Sequence, residues 1–499
     1  MQGIPYAPAS APPRAGLGWP GAGRVSAPAK FFAAVYFLSI LVSPFNSIKG
    51  VPALGELGGD TFSILHILLF PFVVTSLLRA GQLKVDAKLW VFSLALTIGL
   101  AAGLLANFPE IATAADKGRS GFNKFVTSAL VLYAGLYFPL LTSIAARLDL
   151  RALFVKPLLI ITAFTMLVGC VEFAAWHSSA VERVYLVFSH VVHSGNARGQ
   201  YAPGRIHSVT LEPSFFGAFV VFATPWLLMK IVEKRGDLGA LLGYVGLLAL
   251  TMALSLLSGR TSQIGGPATV AVFVLCLAAF KTGERTFLFV RFLLTAALVL
   301  GITAPLFYID THTAEMVQKM VESNNISNVT RFATTVINIK LATEYPVFGV
   351  GMGQYGFHVP THVPDWAMNF EFKRWMTDPT SSFFPSFALT ARLAGELGAY
   401  GLLVWLAFNA VLLNNVLAAA RRYQVRTGLT PLVGVAVATE FFGSVLYGWS
   451  AGSLRALNLW GAFGLSLAYE HFAEKMESAL PGRAAPASGL SLVNRARTA

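Results

Sequence analysis

Three short clusters hold the residues whose types and spacing could do chemistry. The first is Gly204-Arg205-Ile206-His207-Ser208, followed by Leu211-Glu212-Pro213-Ser214-Phe215-Phe216-Gly217. Pro213 suits the first turn of a helix. A helix beginning there carries Glu212 and Ser214 at its start, where unpaired N–H groups add positive potential. An arginine just before such a terminus makes a natural phosphate site. The same residues also fit a capped helix start whose Arg205 pairs with Glu212. The second cluster is Leu257-Ser258-Gly259-Arg260-Thr261-Ser262, a short turn between two apolar runs. Arg260 there is either an anion ligand or a snorkelling side chain. The third is Asn328-Val329-Thr330-Arg331-Phe332, leading to Glu344-Tyr345-Pro346-Val347-Phe348-Gly349-Val350-Gly351-Met352-Gly353.

Residues 329–345 read as a helix with Val329, Phe332, Val336 and Ile339 on its apolar side and Arg331, Thr335 and Asn338 on another face. Pro346 stops it. The glycines beyond let backbone approach a ligand or another backbone closely. They are not a dinucleotide fingerprint, since no βαβ pattern surrounds them. His207, His312, His358 and His362 are candidate general bases, because neutral imidazole takes up a proton near pH 7. His358 and His362 with Asp365 could suggest a metal site. Pro360 and Pro364, however, predict that no helix holds the two histidines at i,i+4 spacing.

The elements that must position these clusters are membrane spans. Of 499 residues 55% are hydrophobic and 12% charged, about half the charge of an ordinary soluble chain. The apolar residues gather into runs of roughly 17–25, the length that crosses a bilayer. About twelve spans are predicted, near 31–48, 60–78, 88–106, 124–145, 153–176, 211–231, 238–257, 263–280, 286–307, 384–418, 428–447 and 454–472. Residues 1–29 and 474–499 read as disordered tails flanking a transmembrane domain over 30–473. Cys170 and Cys276 both lie in apolar runs and build neither a disulfide framework nor a metal site.

Net charge is +13, which would suit nucleic acid if it were clustered on one soluble face. Instead it is spread over alternate short loops. Arg79, Lys84 and Lys88 form one group, and Arg147, Arg151 and Lys156 the next. Lys230, Lys234 and Arg235, then Lys281, Arg285 and Arg291, then Arg421, Arg422 and Arg426 complete the set. The positive-inside rule makes that side cytoplasmic, together with both termini. No nucleic-acid partner is needed. The other side holds two long connections, 177–210 and 308–383, the second too long to be a mere link. Arg183, Arg198, Arg205, Arg260, Arg331, Arg374, Arg392 and Arg455 lie there or at nearby span ends, against the rule. An arginine at membrane depth costs roughly 2.5–3.5 kcal/mol on insertion scales. These residues should therefore face an anionic occupant or an acidic partner such as Glu212, Asp378, Glu396 or Glu440.

In this order and on this topology the clusters resemble the O-antigen ligase and polysaccharide polymerase superfamily, over roughly residues 150–475. The elements that carry the likeness are Arg205 with Glu212-Pro213-Ser214, Ser258-Gly259-Arg260, and Arg331 with the prolyl-glycine element 346–351. Ala394-Gly395-Glu396-Leu397-Gly398 before Tyr400-Gly401 completes them. The resemblance implies an all-α polytopic fold of the GT-C type in the bacterial inner membrane. It implies inverting glycosyl transfer at the periplasmic face, with no metal ion and no cofactor. The donor would be a glycan on undecaprenyl diphosphate, held by Arg205, Arg260 and Arg331, whose guanidinium groups match phosphate oxygens bidentately. Ser214, Gly349, Gly351 and Glu396 would support that site, and Glu212 or His358 would take the acceptor's proton.

Ligase members carry a His-Asn pair before the Ala-Gly-Glu element. Here that stretch reads Asp378-Pro379-Thr380-Ser381-Ser382-Phe383-Phe384, which favours a polymerase of O-antigen, exopolysaccharide or capsule, with a chain-length regulator as partner. The alternatives are a ligase acting on a lipid or protein acceptor, and a transporter or flippase of lipid-linked sugars. Transporters usually show two similar halves, and no internal repeat is evident here.

Overall fold

The computed structural model describes residues 26–48, 61–193, 204–210, 212–322, 326–378, 384–449 and 457–478. In order, α1 is Ala27–Val42, α2 Thr61–Leu68, α3 Phe70–Arg79, α4 Ala87–Ala106 and α5 Phe108–Thr113. A two-residue hairpin, β1 Ala115–Asp116 and β2 Arg119–Ser120, leads to α6 Gly121–Leu150. A π-helical turn over Arg151–Val155 joins α6 to α7 Lys156–Ala175, followed by α8 Ser179–Val192 and α9 Pro213–Glu233. Then come α10 Leu238–Leu256, α11 Arg260–Lys281, α12 Glu284–Glu322 and α13 Ile326–Glu344. α14 Tyr355–His362, α15 Phe370–Thr377, α16 Leu389–Thr427, α17 Leu432–Tyr447 and α18 Leu457–Ser478 complete the chain.

This is a multi-pass helical membrane protein. In hydrocarbon every backbone polar group must be satisfied within the chain, and helices do this segment by segment. Helix occupies each of the twelve expected segments, but with unequal length. Seven helical stretches among the described residues are long and apolar enough to cross a membrane, or eight if the bent α2–α3 pair is one span. The difference has local causes. α1 and α17 are only 16 residues each. α2 and α3 meet at 64°, where Pro71 enters the first turn of α3 and cannot continue the helix before it. Gly121 to Ala175 run on as one 55-residue helical stretch that breaks at Asp149, whose φ of −160° and ψ of 92° are not helical. In α18, Glu470, His471, Glu474 and Lys475 dilute the apolar run.

Side chains at the starts and stops match the chemistry of caps. Asp86 and Asp237 accept backbone N–H groups at the N-termini of α4 and α10. Gly428 ends α16 in the left-handed region, with φ of 72°. α9 lies at the centre, with Phe216, Phe222 and Trp226 fully buried against α11, α17 and α10. α6 and α18 approach through small residues: Gly135 lies under the Trp460 ring and Gly464 against the Pro139 carbonyl and Thr142. α10 and α12 are peripheral, and Leu242, Phe292 and Phe307 stay exposed on them as a lipid-facing surface requires.

The basic loops of the sequence meet one another at one end of the bundle. Arg147 donates to the Lys84 carbonyl at 3.2 Å. Glu470 pairs with Lys88 at 2.6 Å and Arg422 at 3.7 Å, Arg421 with Glu284 at 2.7 Å, and Arg151 with Glu233 at 2.9 Å. The opposite end carries the long connections, whose described residues are packed. α12 runs past its expected limit at 307 to Glu322, with a break at His312. Beyond it Val329, Ala333, Ile337 and Leu341 of α13 build a separate small core with Tyr355, Val359, Ala367, Phe372 and Phe384. α18 likewise continues to Ser478, past the expected limit of the transmembrane domain at 473; residues 1–25 and 479–499, where the sequence predicts tails, lie outside the described residues.

Candidate functional site

The three sequence clusters converge at the end opposite the basic loops. Pro213 is the first residue of α9, as its restricted φ favours, and Glu212 before it is extended, with φ −149° and ψ 161°. The turn between α10 and α11 is sewn to the segment ahead of α9. Ile206 donates its N–H to the Leu257 carbonyl at 3.0 Å. The Ser258 hydroxyl donates to the Ile206 carbonyl at 2.7 Å and contacts the Pro213 carbonyl at 3.3 Å. Arg260 is the first residue of α11; its side chain lies outside the described residues. Arg205 is exposed on the same segment.

Arg331, on the first half of α13, closes the arrangement. Its Nη2 stands 3.3 Å from Glu212 Oε2, and the Ser214 hydroxyl reaches the same oxygen at 3.4 Å. The guanidinium also lies 5.1 Å from the centre of the Phe387 ring, a cation–π contact. Its Nε is buried without a hydrogen-bond partner. The Arg331 and Glu212 side chains keep 37% and 44% of their surface exposed. An ion pair that open contributes about 0–1 kcal/mol, so an anionic ligand can displace it at little cost. Glu212 therefore pairs with Arg331 and not with Arg205, the partner that nearness in sequence suggests.

The other acidic residues sort clearly. Glu396 holds Arg392 at 3.1 Å within a buried turn of α16, and Asp378 lies 3.6 Å from Arg374. Glu440 accepts from the Trp226 indole at 2.5 Å and serves no arginine among the described residues. Arg198 and Arg455 lie outside those residues.

Gly349 and Gly351 take a structural part. Val350 donates to the Gly395 carbonyl at 3.0 Å and Gly351 to that of Glu396 at 3.1 Å. Ala399 and Tyr400 return bonds to Pro346 and Val347 at 2.8 and 3.1 Å. A Cβ on Gly349, whose φ is +64°, would stand 2.4 Å from the Gly395 oxygen. The approach that Gly349 permits is thus to another backbone, and it locks the element after α13 onto the break in α16 at Gly398, whereas a Cβ on Gly351 would meet the Ile111 side chain.

His358 packs on Tyr345 with ring centres 5.7 Å apart, just beyond the C-terminal end of α13. Fourteen residues separate Tyr345 from Arg331, about 20 Å at helical rise. Burial holds the His358 imidazole below its ordinary pKa, against the opposing fields of Glu110 and Glu344. The expectation that Pro360 forbids a helix here is corrected. α14 spans Tyr355–His362 with Pro360 inside, forfeiting one bond in a short helix. His362 then turns to Glu344 at 2.8 Å.

Sequence reasoning missed Glu172, the single acidic residue of α7. It is 0% exposed and accepts the backbone N–H of Ser208 at 2.7 Å and of His207 at 3.2 Å. His207 Nε2 lies 3.4 Å from its other oxygen. The signal was there, since a carboxylate inside an apolar run is costly without partners. Burial, and next the neighbouring His193, push the His207 imidazole down to about 4. His193 is lowered by burial as well. Its Nε2 donates to the Ser208 carbonyl at 3.1 Å, which leaves Nδ1 as the bare nitrogen. The Nδ1 atoms of both rings are buried without a partner, so a second proton on either ring would meet no acceptor. Lys117, on the hairpin turn, was also missed; its ammonium donates to the carbonyls of Trp375 and Asp378.

No protein-family model matches the chain, and a search of curated proteins finds no significant match.

Proposed function

We propose that this chain is a membrane-embedded inverting glycosyltransferase that polymerises glycan units carried on undecaprenyl diphosphate, working at the periplasmic face of the bacterial inner membrane. In this reading the bundle is a twelve-span GT-C-type scaffold with both termini cytoplasmic, and a chain-length regulator is its partner. The observation that carries the reading is the Arg331–Glu212 pair at the seam of three segments, each bearing an arginine that the charge rule disfavours on that side.

Arg205, Arg260 and Arg331 bind the diphosphate and stabilise the charge that develops as it leaves. The acceptor hydroxyl attacks the anomeric carbon from the face opposite the diphosphate. A carbon–oxygen bond forms and the bond to the phosphate oxygen breaks, its electron pair departing with the diphosphate. Once Arg331 turns to the phosphate, the Glu212 carboxylate is released to accept the hydroxyl proton. Glu212, which stands against Arg331, is the base we assign.

The test is conversion of an undecaprenyl-diphosphate-linked repeat unit to polymer in membranes carrying the chain. Arg331→Ala and Glu212→Gln should leave single units unjoined while the protein still inserts. Polymer at wild-type levels in both variants overturns the assignment. Cells lacking the chain should accumulate single repeat units; accumulation of long lipid-linked chains would instead mark a ligase.

A further inference from the structure

Residues 204–210 and 212 include two residues of the proposed site, Arg205 and Glu212, yet they are irregular backbone ahead of α9. Something must hold them, because a side chain on an unheld loop loses the geometry that binding and transfer require. Ser208 shows where the hold is applied. It is a non-glycine residue in the left-handed region, with φ of +55°, a conformation that persists only when its surroundings enforce it. Each of its polar groups is engaged. Its N–H goes to Glu172 at 2.7 Å, and its hydroxyl donates to the Thr165 carbonyl at 2.6 Å. Its carbonyl accepts from His193 Nε2 at 3.1 Å and from the Tyr185 hydroxyl at 3.4 Å. The next link is short: Thr210 donates its hydroxyl to the His207 carbonyl at 2.7 Å and contacts the Glu212 carbonyl at 3.1 Å.

We infer that Glu172 is a positioning residue for this reaction: its buried carboxylate grips the backbone at His207 and Ser208, and so sets Arg205 and Glu212 toward the bound diphosphate. Glu172 is suited to this and to little else. It is wholly buried, so it cannot touch substrate. Its carboxylate is the one acidic group that α7 brings to this segment. A carboxyl oxygen accepting two adjacent backbone N–H groups fixes both position and direction. The neutral rings of His193 and His207, 4.8 Å apart, fill the space around it and exclude water.

The inference rests on the reading of Arg205 as a diphosphate ligand, and its test separates the two. The first measurement needs no substrate. In purified protein in detergent, hydrogen exchange at His207 and Ser208 should be at least about tenfold faster in Glu172→Leu, which keeps the apolar volume but removes the one oxygen that accepts both bonds. Exchange in α9 and α11 should be unchanged. Unaltered exchange over 205–210 overturns the inference, whatever the function.

The second measurement is inorganic pyrophosphate binding to wild type, Glu172→Leu, Arg205→Ala and the double variant. Each single change should weaken binding, and the double variant should bind no more weakly than Arg205→Ala alone. Equal loss from Glu172→Leu with and without Arg205 overturns the inference, since a general loosening of the fold would add. If wild type binds no pyrophosphate, the diphosphate reading fails and positioning toward it fails with it, while the exchange result still decides whether Glu172 holds the loop.

Discussion

Val347 and Gly398 face one another backbone to backbone: a methyl group at Gly398 would lie 2.5 Å from the Val347 carbonyl oxygen. Gly398 also takes φ +64° inside α16, where an L side chain is strained. Gly398→Ala and Gly349→Ala should each destabilise the protein by about 2 kcal/mol or more. Thermal unfolding in detergent reads this directly. Gly236→Ala, at a position where an added methyl meets nothing within 4 Å, is the control. A wild-type midpoint for Gly398→Ala would refute the docking of the two elements.

The buried Arg392–Glu396 pair on the same helix makes a second prediction. Arg392→Met leaves Glu396 buried and without its cation, and should cost about 3–5 kcal/mol. Arg392→Met combined with Glu396→Leu removes both charges and should regain most of that loss. If the double variant is no more stable than the single one, the pair is not what stabilises this turn.

Arg331 is predicted to require its fork and not merely its charge. Arg331→Lys keeps the cation but offers one rotating ammonium where a planar pair of N–H donors stood. Polymer formation should fall by at least about tenfold, the scale of one lost charge-assisted bond, with insertion unchanged. Full activity in Arg331→Lys would reduce the role to a point charge.

His207 makes stability depend on pH. Its folded-state pKa is depressed from 6.5 to about 4, so between those values the unfolded chain binds more protons than the folded one. Stability therefore rises with pH across that window. The contribution of His207 is complete above about pH 6.5 and is lost as pH falls toward 4. The thermal midpoint of wild type should drop more steeply over this range than that of His207→Asn. Parallel slopes would show that the imidazole is not held neutral.

Part of this protein is legible in its residues alone. Runs of apolar residues and alternating basic loops announce a multi-pass bundle, because lipid demands length and charge obeys sidedness. Pro213 at the start of α9 and the helix over Ile326–Glu344 follow from local rules that need only neighbours in sequence. Misplaced arginines pointed to acidic partners, and Glu212, Asp378 and Glu396 each hold one.

Which arginine each acid holds was decided by tertiary structure alone. Glu212 passes over Arg205, seven residues away, for Arg331, 119 residues away, because the fold brings α13 to the start of α9 and the 205–210 segment is drawn toward Glu172. Sequence likewise allowed the glycines near 350 either a ligand or a backbone as neighbour, and left His358 free to be a base. Packing seats Gly349 on the α16 backbone and His358 against Tyr345. The physical reason is the same in each case. Composition and periodicity set what a segment is, through forces that act along a few residues. What a side chain touches depends on how separate segments bury their apolar faces, and that is a property of the whole fold.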